Sequence, residues 1–446
     1  MDNVTIWQWT LIIVTSLLFL WFSPFAKTKD QFFKATKNKR EPSAWMLTGS
    51  LIISWIFAKS ITNAANLGAS FGLVGGVAYA AYYVSFAVAG IIIYQLRTKG
   101  GFTSIHHFLK TKFGRGAILL FSVLIGIRLF NEVWSNTMVI GSYFGVSGSM
   151  PYYASIMVFT GLTLAYALKG GLSSSIFTDV IQMVLFSILL CVILWNIFSV
   201  ENFSVQEVTS SGDWTFALGG NLLLAAVLQS FSYPFHDPVL TDRGFISSPK
   251  VTLKSFLWAS VLGGICILLF SIVGIFAQQQ GLQGNDAAVM VSKSFGILIL
   301  LVINFIMITS AASTLDSTFS SSSKLFAIDL KLGESIRFGR IIMVVVAILG
   351  TIPVFLDAEI LSATTISGTM VIGLTPVFVF WKSKATKISY FLAVGCGLFF
   401  GFLLVFDVFP EAFIFTTGKY ASLLWVNIWG ILSCCVLYKL PIWIRK

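Results

Sequence analysis

A serine- and threonine-rich apolar stretch, residues 308–330, carries the side chains best suited to chemistry. It reads ITSAASTLDSTFSSSSKLFAIDL and is apolar enough to cross a membrane, yet hydroxyl groups recur along it. Hard cations prefer such oxygen ligands, so the stretch predicts a cation-binding helix face. The alternative is that the hydroxyls bond carbonyls one turn earlier or let helices pack closely. At helical spacing one face carries Ser310, Ser313, Thr314 and Ser317, with Asp316 beside them.

Ionisable residues inside predicted spans are costly in a bilayer and usually mark an ion or substrate path. Arg128 and Glu132 are spaced i, i+4, so either they form a local ion pair or Arg128 binds a substrate carboxylate. Asp237 follows His236, and either residue could contact substrate or cap freed backbone groups. The full set is Lys59, Arg128, Glu132, Asp179, Asp237 and Asp316.

The composition predicts an all-α polytopic membrane protein. The chain has 446 residues, of which 57% are hydrophobic and only 11% are charged, and this excludes a soluble globular domain. The membrane topology explains the net charge of +11 through the distribution of basic residues, so we expect no nucleic acid partner. No nucleophile–base pair or metal-ligand spacing is present in the sequence, so we expect neither an enzyme nor a cofactor.

Thirteen apolar runs are long enough to span a bilayer. The first lacks a basic leader and a cleavage site, so we interpret it as a retained helix. The predicted spans are residues 4–25, 44–68, 73–96, 116–144, 152–168, 175–198, 214–241, 251–276, 295–328, 338–355, 360–381, 388–408 and 420–440.

The distribution of basic residues supports this topology. Of the 29 lysine and arginine residues, Lys59 and Arg128 lie within spans, and Lys293 and Lys419 fall in predicted outer loops. The remaining 25 fall in predicted inner loops or at the inner ends of spans, which is a strong positive-inside signal. We therefore predict a cell (inner) membrane protein with the N-terminus outside and the C-terminus in the cytoplasm.

Two predicted spans are interrupted by polar, glycine or proline residues. The second contains SITNAANLG (60–68), and the seventh contains FSYPFHDPVL (231–240) with Pro234 and Pro238. Both should unwind. Five spans separate them, so residues 44–198 and 214–381 form inverted five-plus-five repeats, flanked by peripheral helices in 1–25 and 388–446. This pattern is typical of secondary transporters with a midplane binding site.

Three motifs resemble the sodium/solute symporter family of sodium-coupled sugar, proline, pantothenate and sialic acid carriers. KGGLSSSIFTDVIQMVLF (169–186) is similar to the family's paired-glycine, Thr-Asp signature, and IRLFNE (127–132) to its Arg-Leu-Phe segment. SAASTLDSTFSSSSKLFAID (310–329) is similar to its sodium-binding helix. The resemblance implies a LeuT-like fold and sodium-coupled symport of a small organic solute, which could bear a carboxylate, into the cell.

The resemblance also implies where sodium binds. One site would lie between the broken second span and the ninth, and a second would lie inward of it. We expect lipid, sodium and solute as the partners, and a monomer as the functional unit. The first site would comprise Ala58, Ile61, Ser310, Ser313 and Thr314, and the second Asp179, Ser313, Asp316 and Ser317.

Solute-binding residues are expected near the two interrupted spans and on the fourth. Lys59 complicates the sodium assignment, because its ammonium group either replaces a bound cation or pairs with Glu132 or Asp316. If it replaces a cation, the carrier is proton-coupled or uncoupled. A transporter-like solute receptor or channel is a further alternative. The solute candidates are Ser60, Thr62, Asn63, Asn66, Arg128, Asn131, Ser232, Tyr233 and His236.

Overall fold

The computed structural model describes residues 3–36, 41–282, 286–356 and 368–444. Every regular element in this described part is helical. The chain forms two compact units. The first unit is Met1–Gly76, Leu129–Ser211 and Ile265–Ala358, and the second unit is Val77–Arg128, Gly212–Gly264 and Glu359–Lys446.

The α-helices are numbered in chain order. The first ten are α1 (Asn3–Phe22), α2 (Lys29–Lys34), α3 (Ala44–Trp55), α4 (Ala58–Ala80), α5 (Val84–Thr98), α6 (Ile105–Phe113), α7 (Arg115–Ser142), α8 (Met150–Gly170), α9 (Leu172–Phe198) and α10 (Val205–Ser210). The remaining nine are α11 (Asn221–Gln229), α12 (Pro238–Arg243), α13 (Pro249–Gln279), α14 (Ala287–Ser294), α15 (Ile297–Lys324), α16 (Ile336–Thr351), α17 (Leu374–Val379), α18 (Lys387–Val405) and α19 (Ala421–Trp443).

Hydroxyl side chains start many of these helices. Each accepts a hydrogen bond from a backbone N–H in the first turn, which would otherwise lack a partner. These N-cap residues are Ser43 before α3, Ser104 before α6, Ser149 before α8, Ser335 before α16 and Thr386 before α18.

The break in the second predicted span lies earlier than the sequence indicated. α3 ends at Trp55 and α4 begins at Ala58, so the chain leaves the helix at residues 56–57. The prediction that residues 60–68 unwind is wrong, because they form the first turns of α4. Thr62 and Asn66 within this segment hydrogen-bond residues at the start of α14, so its polar side chains do not require an opened backbone.

The break in the seventh predicted span is confirmed. α11 ends at Gln229, a 3-10 turn covers Tyr233–His236, and Asp237 is extended before α12 begins at Pro238. The Asp237 side chain accepts a hydrogen bond from the Leu240 N–H at 3.3 Å and caps α12. Proline without a backbone donor suits these positions, since the first helical N–H groups have no intrahelical acceptor.

Ten helices in the described residues are long and apolar enough to cross a membrane. Two shorter apolar helices, Ala44–Trp55 and Phe216–Gln229, lie in the two interrupted spans. The predicted eleventh span, 360–381, falls partly outside the described residues. The ten long apolar helices identify a multi-pass helical membrane protein. The full count of thirteen spans stays a prediction.

α15 is the central helix of the first unit. It packs against α1, α2, α3, α8, α9, α14 and α16. All its residues from 306 to 323 are buried although many are hydroxylated. Some of these buried hydroxyls bond a neighbouring helix, as Ser313 does, and others bond a carbonyl of the preceding turn, as Thr314 and Ser322 do. The candidate sodium-binding residues lie in this part of α15.

Close helix contact in the first unit depends on glycine. A Cβ built on Gly274 of α13 would overlap the Ala65 carbonyl of α4, and one on Gly68 would overlap the Ser271 carbonyl. Small residues at membrane helix crossings allow this approach. By contrast, a Cβ on Gly161 of α8 has no neighbouring atom within 4 Å in the described structure.

We predict that Gly274→Ala destabilises the folded protein by at least about 1–3 kcal/mol, because a backbone must move to admit the methyl group. Gly161→Ala is the control and should leave the melting temperature of the detergent-purified protein nearly unchanged. Equal melting temperatures for the two variants would contradict the close packing of α4 on α13.

Candidate functional site

Asp179 on α9 is surrounded by hydroxyl groups in the first unit. Its Oδ2 accepts hydrogen bonds from Ser50 Oγ at 2.5 Å and Ser54 Oγ at 3.3 Å, both from α3. Its Oδ1 accepts from Ser313 Oγ of α15 at 2.5 Å. Asp179 is 0% exposed. Three helices therefore meet at one buried carboxylate.

Asp316 forms the other half of this cluster. Thr178 Oγ1 donates to its Oδ2 at 3.0 Å, and Ser317 Oγ to its Oδ1 at 3.4 Å. The Ser317 hydroxyl oxygen also lies 3.2 Å from that of Ser54 and 3.0 Å from that of Ser175. Asp316, like Asp179, is 0% exposed. The hydroxyl of Ser317 thus links the surroundings of the two acids.

We name this set the carboxylate–hydroxyl cluster: Ser50, Ser54, Ser175, Thr178, Asp179, Ser313, Asp316 and Ser317. Two carboxylates buried together are stable only when a cation or a proton offsets their charge. Their oxygens and the hydroxyl oxygens are hard ligands of the kind that sodium requires. The cluster brings together every residue predicted for the second sodium site.

The residues predicted for the first sodium site lie on α4 and α15. Ala58 and Ile61 are in the first turn of α4, directly after the break, and both are fully buried. Thr314 Oγ1 donates to the Ser310 carbonyl at 3.0 Å, which is the bond to the preceding turn that the sequence left open as an alternative. Ser313 instead donates to Asp179.

Lys59 pairs with Glu132, as one of the two sequence alternatives predicted. Its Nζ lies 3.2 Å from Glu132 Oε1 and 3.2 Å from Oε2. It also donates to Ser135 Oγ at 3.2 Å and lies 5.0 Å from the centre of the Phe57 ring. Burial of this pair, with side chains 7% and 4% exposed, requires such direct neutralisation.

Arg128 of the second unit binds the segment between α11 and α12. Its guanidinium donates to Tyr233 Oη at 2.6 Å and to Asp237 Oδ2 at 2.8 Å, and it lies 4.7 Å from the centre of the Tyr233 ring. Asp237 therefore both caps α12 and neutralises Arg128. A planar fork can satisfy both acceptors at once, which an ammonium group cannot do in the same geometry.

His236 offers an acceptor in the same segment. Its Nδ1 lies 2.6 Å from the Tyr233 carbonyl oxygen. A carbonyl can only accept, so Nδ1 carries the proton and Nε2 keeps a lone pair. Nε2 is buried and has no partner among the described residues. It is therefore suited to accept a hydrogen bond from a hydroxyl or amine of a solute.

Other predicted solute residues lie on α4 and α7 of the first unit. Thr62 Oγ1 donates to Asp286 Oδ2 at 3.4 Å, and Asn66 Oδ1 accepts from the Ala287 N–H at 2.9 Å. Asp286 lies in the loop between α13 and α14, where burial raises its pKa. Ser60 and Asn131 are buried, whereas Asn63 is half-buried. Ser232, in the second unit, bonds the Gln229 carbonyl at 3.2 Å.

The sequence alone did not single out four hydroxyl residues of the cluster or Asp286. Ser50 and Ser54 are spaced i, i+4 in an apolar span, and this is the signal that could have indicated them. Thr178 and Ser175 lie within the quoted Thr-Asp motif. Asp286 gave no comparable signal, because its partners are distant in sequence.

Comparison with known proteins agrees with the motifs. Residues 38–217 match a model of the Sodium:solute symporter family. Sodium/glucose cotransporter 1 of Mus musculus is 25% identical over 201 residues, which is 44% of this chain and 29% of that protein. The urea active transporter of Saccharomyces cerevisiae is 20% identical over 298 residues, 61% of this chain and 39% of that protein. The alignments thus cover less than half of each relative.

Solved structures share the fold. A Na+-coupled sialic acid symporter in a substrate-bound outward-open state matches with a TM-score of 0.73 and 16% identity, over 98% of each chain. A nucleobase-cation-symport-1 family transporter, closed with bromovinylhydantoin bound, matches with a TM-score of 0.57 and 13% identity, over 92% of this chain and 94% of that one. The resemblance to sodium/solute symporters is confirmed, and the chain shares the LeuT-like fold of these structures.

We predict that Asp237→Asn lowers the stability of the folded protein by roughly 3–5 kcal/mol, because it removes a counter-charge that lies 2.8 Å from the buried Arg128 guanidinium. The double variant Arg128→Met/Asp237→Asn removes both charges and should recover most of the loss. Melting of the detergent-purified protein measures both effects. A single variant as stable as the wild type would show that the pair is not essential to the fold.

Proposed function

We propose that this chain, which resembles the sodium:solute symporters, is a secondary active transporter that couples inward sodium movement to uptake of a small organic solute by alternating access. The observation that carries the proposal is the carboxylate–hydroxyl cluster. A pair of fully buried acids, solvated by hydroxyls on three helices, is costly to maintain unless it binds a cation. Sodium is the coupling ion, and no cofactor takes part.

We assign the first sodium ion to the carbonyls of Ala58, Ile61 and Ser310 with the hydroxyls of Ser313 and Thr314. Ala58 and Ile61 lie directly after the break between α3 and α4, and discontinuous membrane helices of this kind hold the coupling ions of secondary transporters, which supports the assignment. Sodium would take over the Thr314 hydroxyl from its bond to the preceding turn.

We assign a second sodium ion to Asp179, Ser313, Asp316 and Ser317. Ser313 belongs to both proposed sites, and its 2.5 Å bond to Asp179 supports a direct link between them. An ion at one site would change the orientation of the shared hydroxyl and so the affinity of the other site. Such coupling between sites is reciprocal.

Each sodium ion that enters with solute adds a fixed driving force. Moving one charge across the membrane potential contributes about 2.3 kcal/mol per 100 mV. Accumulation of a dilute nutrient benefits accordingly. We propose a location in the cell membrane with the N-terminus outside and the C-terminus in the cytoplasm, and a monomer as the transporting unit.

Solute contacts are proposed in each unit separately. In the second unit the free Nε2 of His236 supports recognition of a hydroxyl or amine, and Arg128 and Tyr233 supply a charged and an aromatic surface. Because Asp237 already neutralises Arg128, a solute carboxylate would have to share or displace that partner. The proposed set is Ser60, Thr62, Asn63, Asn66 and Asn131 in the first unit and Arg128, Ser232, Tyr233 and His236 in the second.

Pairing of Lys59 with Glu132 favours sodium coupling over the alternative in which Lys59 replaces the cation. The ammonium group is held by α7, so it does not need the oxygens proposed for sodium. The oxygens proposed for sodium therefore stay available to an external cation.

We predict that Ser313→Ala/Thr314→Ala raises the half-saturating sodium concentration at least about tenfold, because charge-assisted contacts of this kind contribute about 1.5–3 kcal/mol each. The measurement is 22Na+ binding to the purified protein, with choline maintaining ionic strength. The control is Ser322→Ala, which removes another buried α15 hydroxyl, one that bonds the Thr318 carbonyl at 2.7 Å. Unchanged sodium binding in the double variant would refute the first site.

For the second ion we expect a Hill coefficient for sodium binding above one in the wild type. Asp179→Ala should reduce it to about one by removing the central ligand of the second site. Ser187→Ala on the same helix, which loses only a bond to the Met183 carbonyl, should behave as the wild type. A wild-type coefficient near one that Asp179→Ala leaves unaltered would exclude the second ion.

A further inference from the structure

Lys59 places a positive charge next to a proposed sodium ligand. It follows Ala58 directly and lies in the first turn of α4, with its side chain only 7% exposed. Its flexible four-carbon stem carries a compact, strongly hydrated ammonium group. Such a group can donate to the same carbonyl and hydroxyl oxygens that would bind sodium.

α7 holds this ammonium group in a defined place. Glu132 offers both carboxylate oxygens at 3.2 Å, and Ser135, one turn further along the helix, offers its hydroxyl at 3.2 Å. Asn136 in turn fixes Glu132, because its Nδ2 donates to Oε2 at 3.1 Å and to the Glu132 carbonyl at 2.9 Å. These three residues share one face of α7 through i, i+3 and i, i+4 spacing.

Because the Lys59 ammonium group is buried, it must always be bound by one set of oxygens or another. A buried ammonium must be neutralised or fully hydrogen-bonded, so on losing Glu132 it will turn to the nearest other oxygens. Ala58, whose carbonyl is a proposed sodium ligand, is the residue directly before Lys59, so the ammonium group can compete for that site. Sodium and the ammonium group cannot occupy the same ligands together.

We propose that Glu132 is a positioning residue that holds the Lys59 ammonium on α7 and thereby keeps the first sodium site open to sodium. The inference rests on the proposed function, because it presupposes that site. Without Glu132, Lys59 becomes an internal competitor of sodium. The residue pair therefore sets the sodium affinity of the carrier although Glu132 does not contact the ion.

The test is 22Na+ binding to the purified full-length protein at constant ionic strength. Glu132→Gln should raise the half-saturating sodium concentration at least about tenfold, since a competing charge within a few ångströms is strongly repulsive in a buried site. Lys59→Met/Glu132→Gln removes the competitor and should return that concentration to within about twofold of the wild type.

A purely structural role is distinguished by melting with and without sodium. Ligand binding raises the melting temperature by mass action, so Glu132→Gln should lose most of the sodium-induced increase while the double variant regains it. The matched control is Asp237→Asn, which breaks a different buried ion pair. It should lower the melting temperature yet keep the wild-type sodium concentration for half-saturation. The same behaviour from Glu132→Gln would overturn the inference.

Two further outcomes are decisive if Glu132→Gln does not fold. The double variant should then bind sodium as the wild type does, and an affinity more than about threefold higher would show that Lys59 already competes in the wild type. That result overturns the inference. Absence of sodium binding by the wild type overturns the proposed function as well. Where Glu132→Gln folds, weakened binding in Ser313→Ala/Thr314→Ala but not in Glu132→Gln leaves the proposed function intact and rejects the role of Glu132.

Discussion

The cost of burying charge in a membrane protein governs the arrangement of the first unit. Asp179 and Asp316 are completely shielded from solvent, and Lys59 and Glu132 are nearly so. None of these groups has bulk water to solvate it, so each must find hydroxyls, a counter-charge or an ion. α3, α9 and α15 supply the hydroxyls, and α15 is buried against seven other helices of this unit. Ser313 and Ser317 are the serines of α15 that bond these acids.

The buried carboxylates of the first unit are stabilised in two different ways. Glu132 is neutralised within the chain by Lys59, and this pair needs no ligand. Asp179 and Asp316 are bonded by hydroxyls, which orient a carboxylate but carry no net charge. Our proposal that the carboxylate–hydroxyl cluster binds a cation therefore rests on this contrast more than on the number of oxygen ligands.

Hydropathy, charge bias and motif spacing were sufficient to predict the membrane class, most helix positions and the proline break at residues 231–240. They failed at residues 60–68, where the polar side chains indicated unwinding but bond α14 instead. That contact joins Thr62 and Asn66 to residues more than two hundred positions away, and periodicity within one helix contains no information about it. Likewise, the sequence left the partner of Lys59 open between Glu132 and Asp316, and only tertiary packing chooses between them.

Arg128 shows why an ionisable residue inside a span is an ambiguous signal. Its spacing from Glu132 suggested a local pair, and its guanidinium suggested a solute carboxylate. In the structure it joins Tyr233 and Asp237, so it stabilises the interrupted segment between α11 and α12. An interrupted helix exposes backbone groups, and Asp237 satisfies one while Arg128 fixes Asp237. The same segment presents the free Nε2 of His236, the atom best suited to contact a solute. The ion pair therefore holds this atom in position. In our proposal, the structural role of Arg128 is thus needed for solute recognition.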